Sequence, residues 1–165
     1  MPIAITLESP RQPEILSLLD QSDAYAASLY PPESNHLVDI TSLEKPNVSF
    51  FAARHDGEIV GCCALVEAGD GTAEIKRMFV DPKARGLKIG KLMLNALVEL
   101  GHERGLTAIR LETGISQPAA IRLYHEAGFV DIEPFPPYKP DPLSLFMELR
   151  LQAAGYEAVL RSGAA

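Results

Sequence analysis

Residues 84–94 read ARGLKIGKLML: one arginine, two glycines and two lysines, feeding into an apolar run with helical spacing. A tight turn that enters a helix aims successive backbone N–H groups at one spot, and the helix dipole adds positive potential there, so the stretch is suited to an anion. Three phosphate-binding chemistries compete for it. A Walker loop requires G-x-x-x-x-G-K-[ST]; here Gly86 and Gly90 have only three residues between them, and Leu92 stands where the magnesium-binding hydroxyl belongs. A dinucleotide fingerprint requires G-x-G-x-x-G after a strand, which this loop does not supply. The third chemistry needs only a diphosphate and no metal: turn amides, with Arg85, Lys88 and Lys91 at the rim, would hold a pyrophosphate-bearing cofactor whose body lies along the neighbouring strand. Against all three stands a plain basic helix start in solvent, because short glycine motifs match by chance often.

The elements around this loop follow from punctuation and periodicity. IAITLE predicts a first strand, and Ile15, Leu18, Leu19, Ser22, Tyr25 and Leu29 recur at the spacing of an amphipathic helix. The polar, proline-marked YPPESNHLVDITSLEKPN reads as a loop with a short helix. VSFFAAR, the turn HDGE and IVGCCALVEA form a hairpin, since Asp-Gly is the strongest short hairpin signal, and GDGT turns the chain into a third antiparallel strand, AEIKRMFV. A helix from about Ile89 to Arg104 is stopped by Gly105. TAIRLET is a strand, and SQPAAIRLYHEAGF a helix with Pro118 in its first turn and Gly128 as its stop. FVDIE and SLFMELRL close the sheet across the proline-rich PFPPYKPDP. Strands early and strand–helix units late predict an α/β sheet of mixed direction, in which AEIKRMFV, the following helix and TAIRLET have the length of a crossover between parallel strands. One domain over residues 1–150, with a peripheral tail over 151–165, accounts for the chain.

Composition narrows the function classes. The formal net charge of −7, with no basic tract, weighs against nucleic acid as the main partner. No apolar run approaches membrane-spanning length and the N-terminus lacks a signal-like block, so a cytoplasmic protein without a membrane partner is expected. Cys62 and Cys63 are adjacent in a strand, which points them to opposite faces; neither a disulfide nor metal-ligand spacing results, and both read as small buried apolar residues.

FVDPKARGLKIGKLML resembles the acetyl-CoA-binding signature of the GNAT superfamily of N-acetyltransferases. LETGISQPAAIRLYHEAGF is similar to the next segment of that fold, and PPESNH, EIKRMFV, LETG and DPLSLFMEL together resemble its small bacterial YsnE-like branch. The resemblance runs from Ile3 to Leu149 and is most specific between Glu74 and Phe129. It implies an α+β fold with a mixed, mostly antiparallel sheet, whose central parallel strand pair splays apart and is flanked by helices. It also implies acetyl-CoA as co-substrate without a metal, and direct acetyl transfer to the amine of a small molecule in a ternary complex; a homodimer is common in the family. A non-catalytic acyl-CoA-binding or partner-binding module of the same fold is the alternative. The superfamily loop reads Q/R-x-x-G-x-G/A. Arg85 and Gly90 fit its ends, and Lys88 occupies the middle glycine, keeping the amide but not glycine's easy access to positive φ.

Carried onto this chain, the resemblance assigns the pantetheine contacts to the backbone of Met78, Phe79 and Val80. It assigns the pyrophosphate to Arg85, Gly86, Leu87, Lys88, Ile89, Gly90 and Lys91, with Gln117 as a further cofactor contact. Tyr124 becomes the acid that protonates the departing thiolate, a role open to a phenol with pKa near ~10; the alternative is a packed helix face of Ile121, Tyr124 and Phe129. Glu74 is the leading base for the amine, placed by strand alternation on one face with Lys76 and Met78, against the alternative of a Glu74–Lys76 surface pair on a strand rim. Glu112 and His36 are the other candidate bases, Ser34 and His36 candidate substrate contacts, and Tyr138 a candidate acceptor-site residue that would close over the substrate.

Overall fold

A computed structural model describes residues 2–34 and 38–151. Seven strands form one sheet in the order β1-β2-β3-β4-β5-β7-β6. They are β1 (Ile3–Leu7), β2 (Val48–His55), β3 (Glu58–Glu67), β4 (Thr72–Val80), β5 (Ala108–Gly114), β6 (Val130–Ile132) and β7 (Ser144–Arg150). Every neighbouring pair is antiparallel except β4 and β5. The helices are α1 (Pro13–Leu29), the single turn α2 (Ile40–Leu43), α3 (Ile89–Glu103) and α4 (Pro118–Glu126). None of the described helices is long and apolar enough to cross a membrane.

Period-two alternation divides the core between the two faces of the sheet. Phe50, Ala52, Cys62 and Ala64 meet Ile15, Leu18 and Leu19 of α1 on one face. Phe51, Ala53, Cys63 and Leu65 meet Met93, Leu94 and Leu97 of α3 and Tyr124 of α4 on the other. The two cysteines therefore do lie on opposite faces, both fully buried. The hairpin between β2 and β3 turns at Asp56 and Gly57, φ 53° and 83°, the paired positive values that a two-residue primed turn needs. Gly101 lets α3 lie close on the sheet: a Cβ there would stand 2.9 Å from Leu151 and 3.0 Å from Ile109. Leu151 is itself buried, and its N–H bonds to the Thr107 carbonyl at 2.8 Å. The rest of the expected tail lies outside the described residues.

The feature that positions the site is a split in this sheet. β4 and β5 pair only through Thr72–Ala108, Ala73–Ile109 and Glu74–Arg110. Beyond that point β4 continues against β3 as far as Val80, while β5 continues against β7 as far as Gly114. A wedge opens between two strand edges whose facing backbone groups have no sheet partner. The register of β3 and β4 shifts between Cys62 and Ala64, where two β4 residues, Arg77 and Met78, oppose one on β3. Such a bulge bends its strand and increases its twist, turning β4 away from β5.

The bulge also overturns one expectation. Simple alternation put Glu74, Lys76 and Met78 on a single face, but the extra residue reverses the parity beyond Lys76. Met78 packs into the α3 side of the core, whereas Phe79 packs into the α1 side. Arg77, at φ 56°, takes the left-handed conformation without being glycine, at a cost of about 1–2 kcal/mol. Its guanidinium secures it from the α1 side, with Nη1 donating to Asp23 at 2.7 Å and Nη2 to the Leu19 carbonyl at 3.2 Å. The Cys62 thiol donates to the Arg77 carbonyl at 3.5 Å.

Candidate active site

A cavity of about 560 Å³ runs through the wedge and joins the two faces of the sheet. Its walls are β4 from Glu74 to Val80 and the end of β5; α1 closes it on one side, and the starts of α3 and α4 on the other.

At the α3 end, the turn expected from ARGLKIGKLML is present. Gly86 has φ 89°, and Lys88, the residue before α3, has φ 60° with no side-chain capping bond. Lysine thus adopts the left-handed conformation for which glycine is the inexpensive choice. The first helical bond runs from Leu92 N–H to the Lys88 carbonyl. The amides of Ile89, Gly90 and Lys91 precede it, so they lack intrahelical acceptors and remain open to an anion. Arg85, Lys88, Ile89 and Gly90 line the cavity, as does Gln117 at the start of α4; Gly86, Leu87 and Lys91 lie outside its walls. Gly90 brings α3 close to α4, since a Cβ there would meet Leu123 at 3.3 Å. Replacing Lys88 with glycine should relieve the left-handed strain at a smaller cost in unfolded-chain entropy, for a net gain of about 0.5–1 kcal/mol. The corresponding rise in melting temperature is about 1–4 °C, measurable by calorimetry; an unchanged or lowered value would mean that the lysine side chain compensates its own strain.

At the centre, Met78, Phe79 and Val80 line the wedge on the β4 edge that β5 has left. Tyr124 of α4 faces the same cavity from a position only 5% exposed, its ring 5.7 Å from that of Phe129. The packed-face alternative and the cavity-lining position are therefore both realised by one side chain. Burial pushes the Tyr124 phenol well above its ordinary range, which keeps the proton on the oxygen. Burial likewise pushes Cys62 up to about 12 and holds Cys63 well above its ordinary value, so neither thiol supplies a thiolate nucleophile near neutral pH.

On the α1 side, two residues of β4 meet one from a distant part of the chain. The Tyr138 hydroxyl donates to Glu74 Oε2 and accepts from Lys76 Nζ, and that ammonium stands 3.2 Å from the same carboxylate oxygen. Glu74 and Lys76 do pair, as the alternative reading held. They do so inside the cavity, each side chain 16% exposed, rather than on a solvated rim. Burial and the neighbouring Glu74 carboxylate hold the Tyr138 phenol far above its usual range. Tyr138 is set in place by Phe135 and Phe146, with ring centroids 5.2 and 5.3 Å away. Glu112, on the neighbouring strand, accepts from Ser144 Oγ at 2.7 Å and lines the cavity together with Ser34. His36 lies outside the described residues.

Several cavity residues escaped the sequence reading. Ser22, Tyr25 and Ala26 line it from α1, at i, i+3 and i+4. The signal was in the helical stripe itself: its buried members are Ile15, Leu18 and Leu19, and its next two, Ser22 and Tyr25, border the cavity. Tyr30 packs on Gly114 so closely that a Cβ at 114 would stand 1.8 Å from its hydroxyl oxygen, which also accepts the Ser116 N–H at 3.1 Å. Nothing local in the sequence announces that contact.

A sheet split at its parallel pair, with a cavity through the split and open helix amides at one end, can hold an elongated anionic cofactor beside a second small molecule. The chain belongs to the acetyltransferase (GNAT) family, whose model matches residues 14–129. It is 47% identical over 147 residues to a protein of Azospirillum brasilense named IAA acetyltransferase, covering 88% of this chain and 96% of the relative. It is 33% identical over 140 residues to the uncharacterized N-acetyltransferase YsnE of Bacillus subtilis, covering 84% and 93%. A crystal structure from Klebsiella pneumoniae superposes with a TM-score of 0.77 at 38% identity, covering 90% of this chain and 97% of the other. The PaiA N-acetyltransferase of Thermoplasma acidophilum, solved in complex with coenzyme A, shares the fold at a TM-score of 0.71 and 19% identity, covering 92% and 100%.

Proposed function

We propose that this enzyme moves the acetyl group of acetyl-CoA directly to the amine of a small molecule, with both bound at once in the split of the sheet, in the cytoplasm. The observation that carries the reading is the cavity itself, which is continuous from the α3 amides to the Glu74–Tyr138 side, so an amine and a thioester can meet inside it. Acetyl-CoA supplies the activated acetyl thioester. The open amides at the start of α3, with Arg85 and Lys88, suit its pyrophosphate, and the free β4 edge at Met78–Val80 suits its extended arm, as an added strand would be suited.

In this scheme the amine nitrogen forms a bond to the thioester carbon and the carbon–sulfur bond breaks. Glu74 takes a proton from the ammonium, directly or through a water; its Oε2 holds the contacts to Tyr138 and Lys76, which leaves Oε1 for the proton. A backbone N–H of the bulged strand stabilises the oxyanion. Tyr124, kept protonated by burial, passes its proton to the departing sulfur, and the second proton leaving the nitrogen as the intermediate collapses returns to the phenolate, directly or through a water, so that the amide, the thiol and a neutral phenol result. The high Cys62 and Cys63 values favour this direct route over one through an acetyl-cysteine. Amine acceptors, with IAA added because of the Azospirillum brasilense relative's name, form the first panel. Release of free CoA that depends on an added acceptor supports the reading. Release at the same rate without one contradicts it, and binding without any release would favour a non-catalytic acyl-CoA-binding module.

A further inference from the structure

The α1 side of the cavity carries information about the acceptor beyond its having an amine. Four aromatic side chains among the described residues border it: Tyr25 and Tyr30 from α1 and its C-terminal cap, Phe79 from β4, and Tyr138 from the segment before β7. Tyr30 and Tyr138 are anchored, the first on Gly114 and the Ser116 amide, the second on Phe135, Phe146, Glu74 and Lys76. Tyr25 is 41% exposed while lining the cavity, a large amphipathic ring available to a ligand. Its neighbours on the helix face, Ser22 and Ala26, are small and leave room beside it.

Among the described residues, the cations of β4 on this side are engaged. Lys76 stands against Glu74 and donates to Tyr138, and Arg77 is held by Asp23 and the Leu19 carbonyl. An acceptor carboxylate would have to draw Lys76 away from Glu74, or bind facing the Glu74 and Glu112 carboxylates. Either arrangement is unfavourable where water is partly excluded. An ammonium meets two carboxylates, Glu74 and Glu112, against the one Lys76 ammonium on the strand floor, with aromatic faces on the walls, a combination that attracts organic cations.

We propose that the acceptor is an arylalkyl amine with no carboxylate beside its nitrogen, its ring held against Tyr25 and its ammonium directed to the Glu74–Glu112 floor. This rests on the transferase reading of the same cavity and names its substrate class. The test compares phenethylamine, L-phenylalanine and n-butylamine as acceptors, in wild type and in Tyr25→Ala, whose side chain is exposed enough to be removed without opening the core. In wild type, phenethylamine should exceed both others in kcat/KM by about tenfold or more, the scale of one or two well-placed aromatic contacts. Tyr25→Ala should raise the phenethylamine KM by about five- to tenfold with little change in kcat, and should not affect n-butylamine. Phenylalanine used as well as phenethylamine, or a phenethylamine KM indifferent to Tyr25→Ala, would overturn the assignment. Calorimetric binding of phenethylamine to the CoA-loaded protein separates the two levels. Binding without turnover counts against the transferase reading and upholds the pocket assignment; turnover of other amines without phenethylamine binding counts against the assignment alone.

Discussion

Tyr124→Phe should lower kcat by about a hundred- to a thousandfold, the range expected when a positioned proton donor is lost, while the Kd for acetyl-CoA stays within about twofold. Phenylalanine preserves the ring that packs against Phe129 and into the α3 side of the core, so only the hydroxyl is removed. Loss of that single group should change stability by no more than about 1 kcal/mol, which thermal denaturation would verify. Because burial raises the phenol's pKa above its ordinary value, the donor should remain protonated through neutral and moderately alkaline pH. The wild-type rate should therefore show no loss from tyrosine ionisation below about pH 10. Steady-state kinetics beside calorimetric titration make the distinction. An unchanged kcat in Tyr124→Phe would reduce this residue to a packed ring, and the sulfur would have to take its proton from elsewhere.

The second large effect belongs to Glu74→Gln. At neutral pH the variant should lose about a hundredfold in kcat/KM, because the site can no longer accept the ammonium proton. The deficit should shrink as pH rises toward the pKa of the amine, where the substrate arrives already neutral; below that pKa the variant's rate should climb about tenfold per pH unit. The glutamine leaves Lys76 without its carboxylate in a place that is 16% exposed, so some destabilisation is expected for a reason unrelated to catalysis. A second variant, Glu74→Gln combined with Lys76→Met, removes both charges and should recover stability without recovering the neutral-pH rate. A rate restored by the double change would show that Glu74 serves only to hold Lys76. A rate profile parallel to wild type at every pH would pass the role of base to Glu112.

Much of this molecule can be read from its sequence because glycine and proline sit where the chain must turn. Asp56-Gly57 marks the hairpin, Gly105 and Gly128 follow the helices they stop, with φ 67° and 99°, and Pro118 opens α4. The cofactor loop is legible for the same reason. The split that makes the sheet useful is not, because its bulge occurs at Arg77, a residue type that gives no sign of positive φ and is held there by a contact to α1 from more than fifty positions away. Lys88 hides its conformation by residue type alone; the loop's resemblance, which places a glycine at that position, is what marks it as left-handed.

The acceptor side was legible as residue types but not as a network. Glu74, Glu112 and Tyr138 were each singled out, yet the pairing of Tyr138 with both Glu74 and Lys76 joins β4 to a segment some sixty residues later. Only the antiparallel β5–β7 register, with Glu112 opposite Phe146, brings that segment over the cavity. Met78 shows the limit most clearly. Period-two alternation is a local rule, and one inserted residue reverses it for the remainder of the strand.

The central claim is that the thioester and the amine meet directly within one continuous cavity. Initial rates of CoA release, measured over a grid of acetyl-CoA and amine concentrations, test it most directly. Reciprocal plots should give lines that intersect, as required when both substrates are bound before the bond is made. Parallel lines, accompanied by an acetylated protein in the absence of amine, would mean that the acetyl group first passes to the chain itself, and would contradict the account.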